Sequence, residues 1–396
     1  MTPFALRSSR GVAVALVTFA TFTDIVAYSV AVPVLPDLGH RLGASPTMIG
    51  LLFASFGVTL LTVSIPMGAI SDRVGRKGPL VSGLVALAAS TVLFAFANNL
   101  PWLFAARLVQ GAADAVTWVV GFALIADLYG PAERGRMTGI VMSGTSMAFM
   151  VGPSIGGWLY EAGGMRLPFL AVALLAVCAA VGCLWFEPPR GRVEQEAVPI
   201  ATMLREPSVA ACALLVIAIA STLAMIEPNF ALHLQSDLLL GPARVGLVFA
   251  AAAVGNMVFH PIFGRLADRF GARRMTLVGL VLSAGVLPLL GRAWSFESAI
   301  GLSVLQSGAL AVAITPSLAY MGEAASNAGV GSFGVSYGIY NMAWAVGLLG
   351  GPAVGGFLFE RFGFARLTLA WAPALVLVTW LLGRVQFQRS PPKELS

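Results

Sequence analysis

Apolar residues run along this chain in blocks long enough to cross a bilayer, and polar residues collect in the short gaps between them. The blocks fall at roughly 11–35, 47–70, 78–98, 101–127, 137–160 and 165–186, then at about 208–234, 242–266, 275–292, 297–321, 333–359 and 363–385. This pattern predicts twelve helices, six on either side of one polar stretch. In that stretch Glu187-Pro-Pro-Arg-Gly-Arg is followed by Glu194, Glu196, Arg205 and Glu206, a composition suited to a flexible connector. The expected organisation is an amino-terminal bundle at 1–186, a linker at 187–207 and a carboxy-terminal bundle at 208–396, with no residues left for a soluble domain.

Composition fits an all-α integral membrane protein: 58% of residues are hydrophobic and 11% charged, against about a quarter charged in soluble domains. The first block follows Arg7 and Arg10 as a secretory signal would. However, it is about twice the length of a signal's apolar region and contains Asp24, so it reads as a retained helix. With the amino terminus inside, inside segments carry 17 basic residues and outside segments six, while Arg107 falls within a span. Both termini are therefore expected in the cytoplasm. That bias accounts for the net charge of +6, and no nucleic-acid partner is expected.

Other chemistries find little support. Cys178, Cys183 and Cys212 lie within spans, where a free thiol behaves as a small apolar residue. His40, His233 and His260 are scattered without metal-ligand spacing, and no phosphate-binding GxxxxGK[ST] loop occurs. The chain is expected to have no metal, no cofactor and no enzymatic activity, because no nucleophile and base can be nominated together.

A loop signature occurs twice. Gly68-Ala-Ile-Ser-Asp72-Arg73-Val-Gly75-Arg76-Lys77 recurs as Gly264-Arg-Leu-Ala-Asp268-Arg269-Phe-Gly271-Ala-Arg273-Arg274, the aspartates 196 positions apart. Independently, Gly152-Pro153-Ser-Ile-Gly156-Gly157 recurs as Gly351-Pro352-Ala-Val-Gly355-Gly356, 199 positions on. A parallel repeat in a membrane chain points to a transporter of two pseudo-symmetric six-helix bundles. Gly68 and Gly75 permit close helix approach and a tight turn, and Asp72 can meet a cation or helix terminus of a neighbouring span. Such a cluster can lock one side shut and break when the halves rock, or its basic residues can simply hold topology. Pro153 and Pro352 bend their helices, and the glycines around them allow tight packing at a moving interface.

Ionisable residues inside spans are costly and point to function. Asp24 lies about thirteen residues into the first span, roughly 20 Å of helix rise and near the bilayer middle. Glu227, followed by Pro228, opens the second half in the corresponding helix. Burial without a partner favours the protonated form of a carboxylate, so such a group can alternate between a proton and an organic cation. Arg107, Gln110 and Asp114 share one face of the fourth span, where Asp114 either neutralises Arg107 or relays protons. Asp127, near the end of that span, is expected to pair with Arg134. Tyr28, Phe230, Tyr337, Tyr340 and Trp344 could line an aromatic cavity, with Tyr340 and Tyr320 the strongest of the aromatic candidates.

Together the repeat, the loop signature and the twelve spans resemble the major facilitator superfamily over essentially the whole chain. Arg107-x-x-Gln110-Gly111 is similar to that superfamily's second motif, and Gly152-Pro153 through Gly157 to the antiporter motif of its drug/proton exchangers. Asp24-Ile-Val-Ala-Tyr-Ser-Val-Ala-Val-Pro33-Val-Leu-Pro36, Glu227-Pro228 and Pro316-Ser-Leu-Ala-Tyr320-Met-Gly-Glu323 look like stretches of the vesicular monoamine transporter branch. The resemblance implies that Asp24 meets the substrate amine, Glu227 helps bind it and Glu323 carries protons, with Asn341 and Tyr320 near the substrate. Two departures stand out: Phe56 replaces the branch's span-2 lysine, and Asn341 replaces its span-11 aspartate. Losing both members of a paired charge strands neither.

The expected function is a proton-coupled antiporter, acting as a monomer, that exports lipophilic organic cations or amines as the halves rock. Export of a neutral metabolite, a sugar or a metal-chelating small molecule is the alternative on the same scaffold, and a non-transporting sensor fits less well. About a dozen residues follow the first span and no N-x-[ST] acceptor occurs, which favours a bacterial cytoplasmic membrane over a secretory vesicle.

Overall fold

The computed structural model describes residues 9–187, 203–327 and 333–384, and these are helical with no strand among them. Ser9 opens α1 (Arg10–Ser29) by accepting from the Val12 N–H at 3.2 Å. A short α2 (Leu35–Arg41) leads to α3 (Pro46–Val74), α4 (Lys77–Phe96), α5 (Leu100–Leu128), α6 (Pro131–Gly163) and α7 (Arg166–Trp185). The second half holds α8 (Pro207–Ser236), α9 (Pro242–Phe270), α10 (Ala272–Leu290), α11 (Phe296–Asn327) and α12 (Phe333–Gly383). Proline in the first turn begins α3, α5, α6, α8 and α9, where its missing N–H costs no helical bond.

The repeat is legible in backbone angles. Gly75 and Gly271 stop α3 and α9 at φ 91° and 92°, and Gly164 and Gly363 sit at φ 68° and 74° before the last helical segment of each half. These are left-handed conformations that favour glycine. Gly363 thereby splits α12 into the two spans expected at 333–359 and 363–385. Among the described residues, ten helices are long and apolar enough to cross a membrane. The element containing Gly363 counts once among them, and α6, with Glu133, Arg134 and Arg136 in its first turns, is not included. Of the expected linker, residues 188–202 lie outside the described residues.

The start of α1 and the end of α12 lie on one face, termed here the terminal face. There Arg10 stands 5.9 Å from the Tyr129 ring, and Arg273 donates to the Gly383 carbonyl at 2.8 Å. The halves meet along α3–α12 and α6–α9, and the contacts below gather toward the far face. A Cβ on Gly50 would meet the Pro352 carbonyl, one on Gly157 the Pro242 carbonyl, and one on Gly246 the Pro153 carbonyl. The Gly-Pro motifs thus work alike in both halves. Gly152 and Gly156 press on α1 of their own half, as Gly351 and Gly355 press on α8, while Gly157 and Gly356 press on the partner half. Backbones this close gain dispersion contact that any side chain would prevent.

Candidate functional site

Asp24 lies in the last third of α1, 1% exposed, and neither of its carboxylate oxygens makes a hydrogen bond. Asp114 of α5 and the Trp118 indole lie near enough to feel its charge, and the Trp118 Nε1 is itself buried and unbonded. Two carboxyl groups therefore face one another with no basic side chain bonded to Asp24. An arrangement of this kind can hold a proton or a cation between the acids, because two adjacent carboxylates repel.

One turn along α1, the Tyr28 hydroxyl donates to the Glu227 carboxylate at 2.6 Å, tying the two halves together at the centre. Glu227 is buried, and Arg107 stands within electrostatic reach of it. The Arg107 guanidinium is 0% exposed and donates to the Gln110 carboxamide at 2.8 Å, leaving Nε and Nη2 unbonded. Its charge is cushioned by ring faces, with centroids 4.7 Å away at Phe53, 5.3 Å at Phe94 and 5.4 Å at Tyr28. Asp114 consequently does not neutralise Arg107. Although the two share a face of α5, seven residues of rise separate them by about 10 Å, and the rings of α1, α3 and α4 hold Arg107 at its own level. Gly111 is needed beside it, since a Cβ would strike the Phe56 carbonyl of α3. Phe56 itself packs on Tyr28, ring centroids 5.0 Å apart, so the position that carries lysine in the vesicular branch is here part of the apolar wall.

The remaining candidates fall into separate groups. Tyr340 shares a 3.1 Å hydrogen bond with Ser317 and stacks on Trp344, while Cys212 donates weakly to the Ser317 carbonyl. Cys212 and Glu227 are fifteen residues apart on α8, roughly 22 Å of rise, which puts Tyr340 nearer the terminal face than the acids. Tyr320 is 1% exposed and interacts with Arg273 and Glu323, so the structure removes it from the level of Asp24 and sets it in a terminal-face cluster. Glu323 is exposed there. Asn341 is half-buried on α12, and the side chain of Tyr337 lies outside the described residues. Phe230, one turn beyond Glu227 on α8, packs in a ring cluster with Phe364 and His233 toward the far face.

The loop signature builds a cluster within one half. Arg76 meets Asp72 at 2.6 Å and Asp127 of α5 at 2.8 Å. Asp127 thus pairs with Arg76 and not with Arg134, whose guanidinium instead donates to the Ala126 carbonyl at 3.1 Å. The i,i+7 spacing placed Arg134 near Asp127 in sequence, but the turn at Gly130 directs it to the end of α5. Arg73 is exposed, as are Asp268 and Arg269 in the second copy. Gly68 and Gly264 are roomier than expected, each with its first neighbour 3.7–3.8 Å from a notional Cβ. Trp118 escaped sequence reading, although its place one turn after Asp114 was a usable signal.

Comparison with known proteins covers both halves. The sequence profile of the Major Facilitator Superfamily matches residues 17–227 and 210–396. The chain is 31% identical to a probable vesicular acetylcholine transporter-B of Danio rerio, over 93% of this chain and 79% of that protein. It is 28% identical to the synaptic vesicular amine transporter of Homo sapiens, over 87% of this chain and 67% of that protein. The fold matches a bacterial homolog to the human lysosomal transporter Spinster with TM-score 0.80, at 17% identity, over 97% of this chain and 99% of the other. The chain is a multi-pass, non-enzymatic transport protein and belongs to the major facilitator superfamily.

Proposed function

We propose that this protein is a proton-coupled antiporter that exports lipophilic amines or other organic cations by rocking its two halves about Asp24. The observation that carries this reading is Asp24 itself: a buried carboxylate with both oxygens unbonded, facing a second acid and close to an indole. The centre holds three acids, Asp24, Asp114 and Glu227, against one arginine sealed in by rings. That excess favours a cationic cargo over an anion or a neutral sugar. The vesicular amine and acetylcholine transporters among its relatives support the same substrate class.

In this reading an arriving ammonium displaces the proton held between Asp24 and Asp114, and a proton entering from the far side displaces the ammonium. Trp118 offers the cation a ring face. Glu227 joins the site when Tyr28 releases it, and Glu323 passes protons at the terminal face. The basic-residue bias supports both termini inside, and the short loop after the first span with no N-x-[ST] acceptor supports a bacterial cytoplasmic membrane. The test is transport in proteoliposomes under an imposed pH gradient, using tetraphenylphosphonium and a simple aryl ethylamine as probes. Gradient-driven movement that disappears in Asp24→Asn is expected, and movement indifferent to the gradient overturns proton coupling.

A further inference from the structure

We propose that Glu161 and Glu360 are paired latches that hold the far face closed, each carboxylate capping the first turn of a helix in the other half. Glu161, near the end of α6, accepts from the Ala243 backbone N–H of α9 at 2.9 Å. Glu360, just before Gly363 in α12, accepts from the Thr47 backbone N–H of α3 at 3.0 Å. The two acids are 199 positions apart, the offset of the Gly-Pro motifs, and the two donors are 196 apart, the offset of the loop signature. Each acid lies nine residues beyond the first glycine of its motif and three before a left-handed glycine. Each donor is the second residue of a helix that begins with proline. The duplication has therefore kept an interaction between halves as well as the frame within each half.

Physical chemistry makes these contacts suited to a reversible lock. The first N–H groups of a helix lack internal partners and carry its positive end, so a carboxylate there forms a charge-assisted bond. The receiving ends differ in a useful way. Gly241, the cap residue of α9, has no Cβ to obstruct Glu161, whereas Ser45, the cap residue of α3, adds a second donor to Glu360. Hydrogen bonds from Thr47 and Ser45 hold the Glu360 carboxyl below the usual range, so it is charged at neutral pH. Both bonds are exposed to water. They can break as the seams open without stranding a buried charge. Gln235 adds a neutral bond on the same face, its side-chain amide donating to the Pro33 carbonyl at 2.7 Å.

The latch rests on the reading that the halves rock, and the experiment separates the two. Spin labels at Asn98→Cys and Trp294→Cys, both exposed on the far face in opposite halves, report its opening. Cys178, Cys183 and Cys212 are replaced by alanine, and the full chain is held in lipid nanodiscs. Glu161→Ala or Glu360→Ala is expected to raise the long-distance population roughly threefold, and the pair together roughly tenfold, because distant sites add. Glu161→Gln with Glu360→Gln keeps one acceptor oxygen at each site and removes the charge, so a smaller rise is expected, readable even if the alanine pair does not fold. Unchanged distance distributions in both double variants overturn the latch. Whether tetraphenylphosphonium shifts the unmodified protein's distribution tests rocking independently.

Discussion

The seams between the halves and the centre they enclose obey different rules. At the seams the repeat is kept almost atom for atom: Gly157 and Gly356 press on opposite halves, and Glu161 and Glu360 cap opposite helices. At the centre it is abandoned. Asp24 and Asp114 of one half face each other without a bonded cation, while the other half contributes Glu227, already engaged by Tyr28. Symmetric contacts suit a motion that both halves share, and an unequal centre suits recognition of one cargo from one side at a time.

Breaking that contrast should cost most at the centre. Asp24→Asn is expected to reduce proton-driven amine transport by at least about a hundredfold, read as initial rates in proteoliposomes. The same change should leave the melting temperature unchanged or raise it, since a buried carboxylate with no bonded partner lowers stability. A marked loss of stability would instead assign Asp24 a packing role. Next come the seams: Gly157→Val or Gly356→Val inserts atoms where a carbonyl and backbone already touch, costing about 1–3 kcal/mol of the closed state. Far-face labels should then report a larger open fraction, while Gly78→Ala, in open space, should change nothing.

Asp127→Asn sharpens the comparison on the terminal face. It leaves the largely buried Arg76 guanidinium with Asp72, which is 61% exposed, as its remaining carboxylate, and is expected to lower stability by roughly 1–2 kcal/mol. Thermal unfolding in detergent reads this, and an unchanged midpoint would show that water replaces the pair without loss. The smallest effect belongs to Tyr28→Phe. Removing one hydroxyl from Glu227 should cost about 1 kcal/mol and change amine affinity about fivefold. If Glu227 joins the site when Tyr28 lets go, the change is a gain, visible by isothermal titration.

Much of the frame was legible because it repeats. Glycines at 75 and 271, and at 164 and 363, sit where a left-handed turn is required, and motif spacing alone located the first pair. The depth of Asp24 and Glu227 followed from helix rise. Partner choice did not follow, because it depends on what neighbouring helices deliver at each level. Arg107 is held by Phe53, Phe94 and Tyr28 from three other helices, so Asp114, seven residues along, was left to Asp24. Asp127 found Arg76, which lies 51 positions away, over its near neighbour Arg134. One further signal was present and passed over: Asp127 and Glu323 are 196 positions apart, the offset of the loop signature. Glu323 and Arg273 both lie within electrostatic reach of Tyr320, where the first half sets Asp127 against Arg76.

The central claim is that cargo and proton compete for Asp24. Purified protein in weakly buffered detergent, titrated with tetraphenylphosphonium while a pH indicator is followed, measures it directly. Binding should release protons in step with occupancy, and Asp24→Asn should show neither binding nor release. Binding without proton release, or full affinity in Asp24→Asn, would contradict the account.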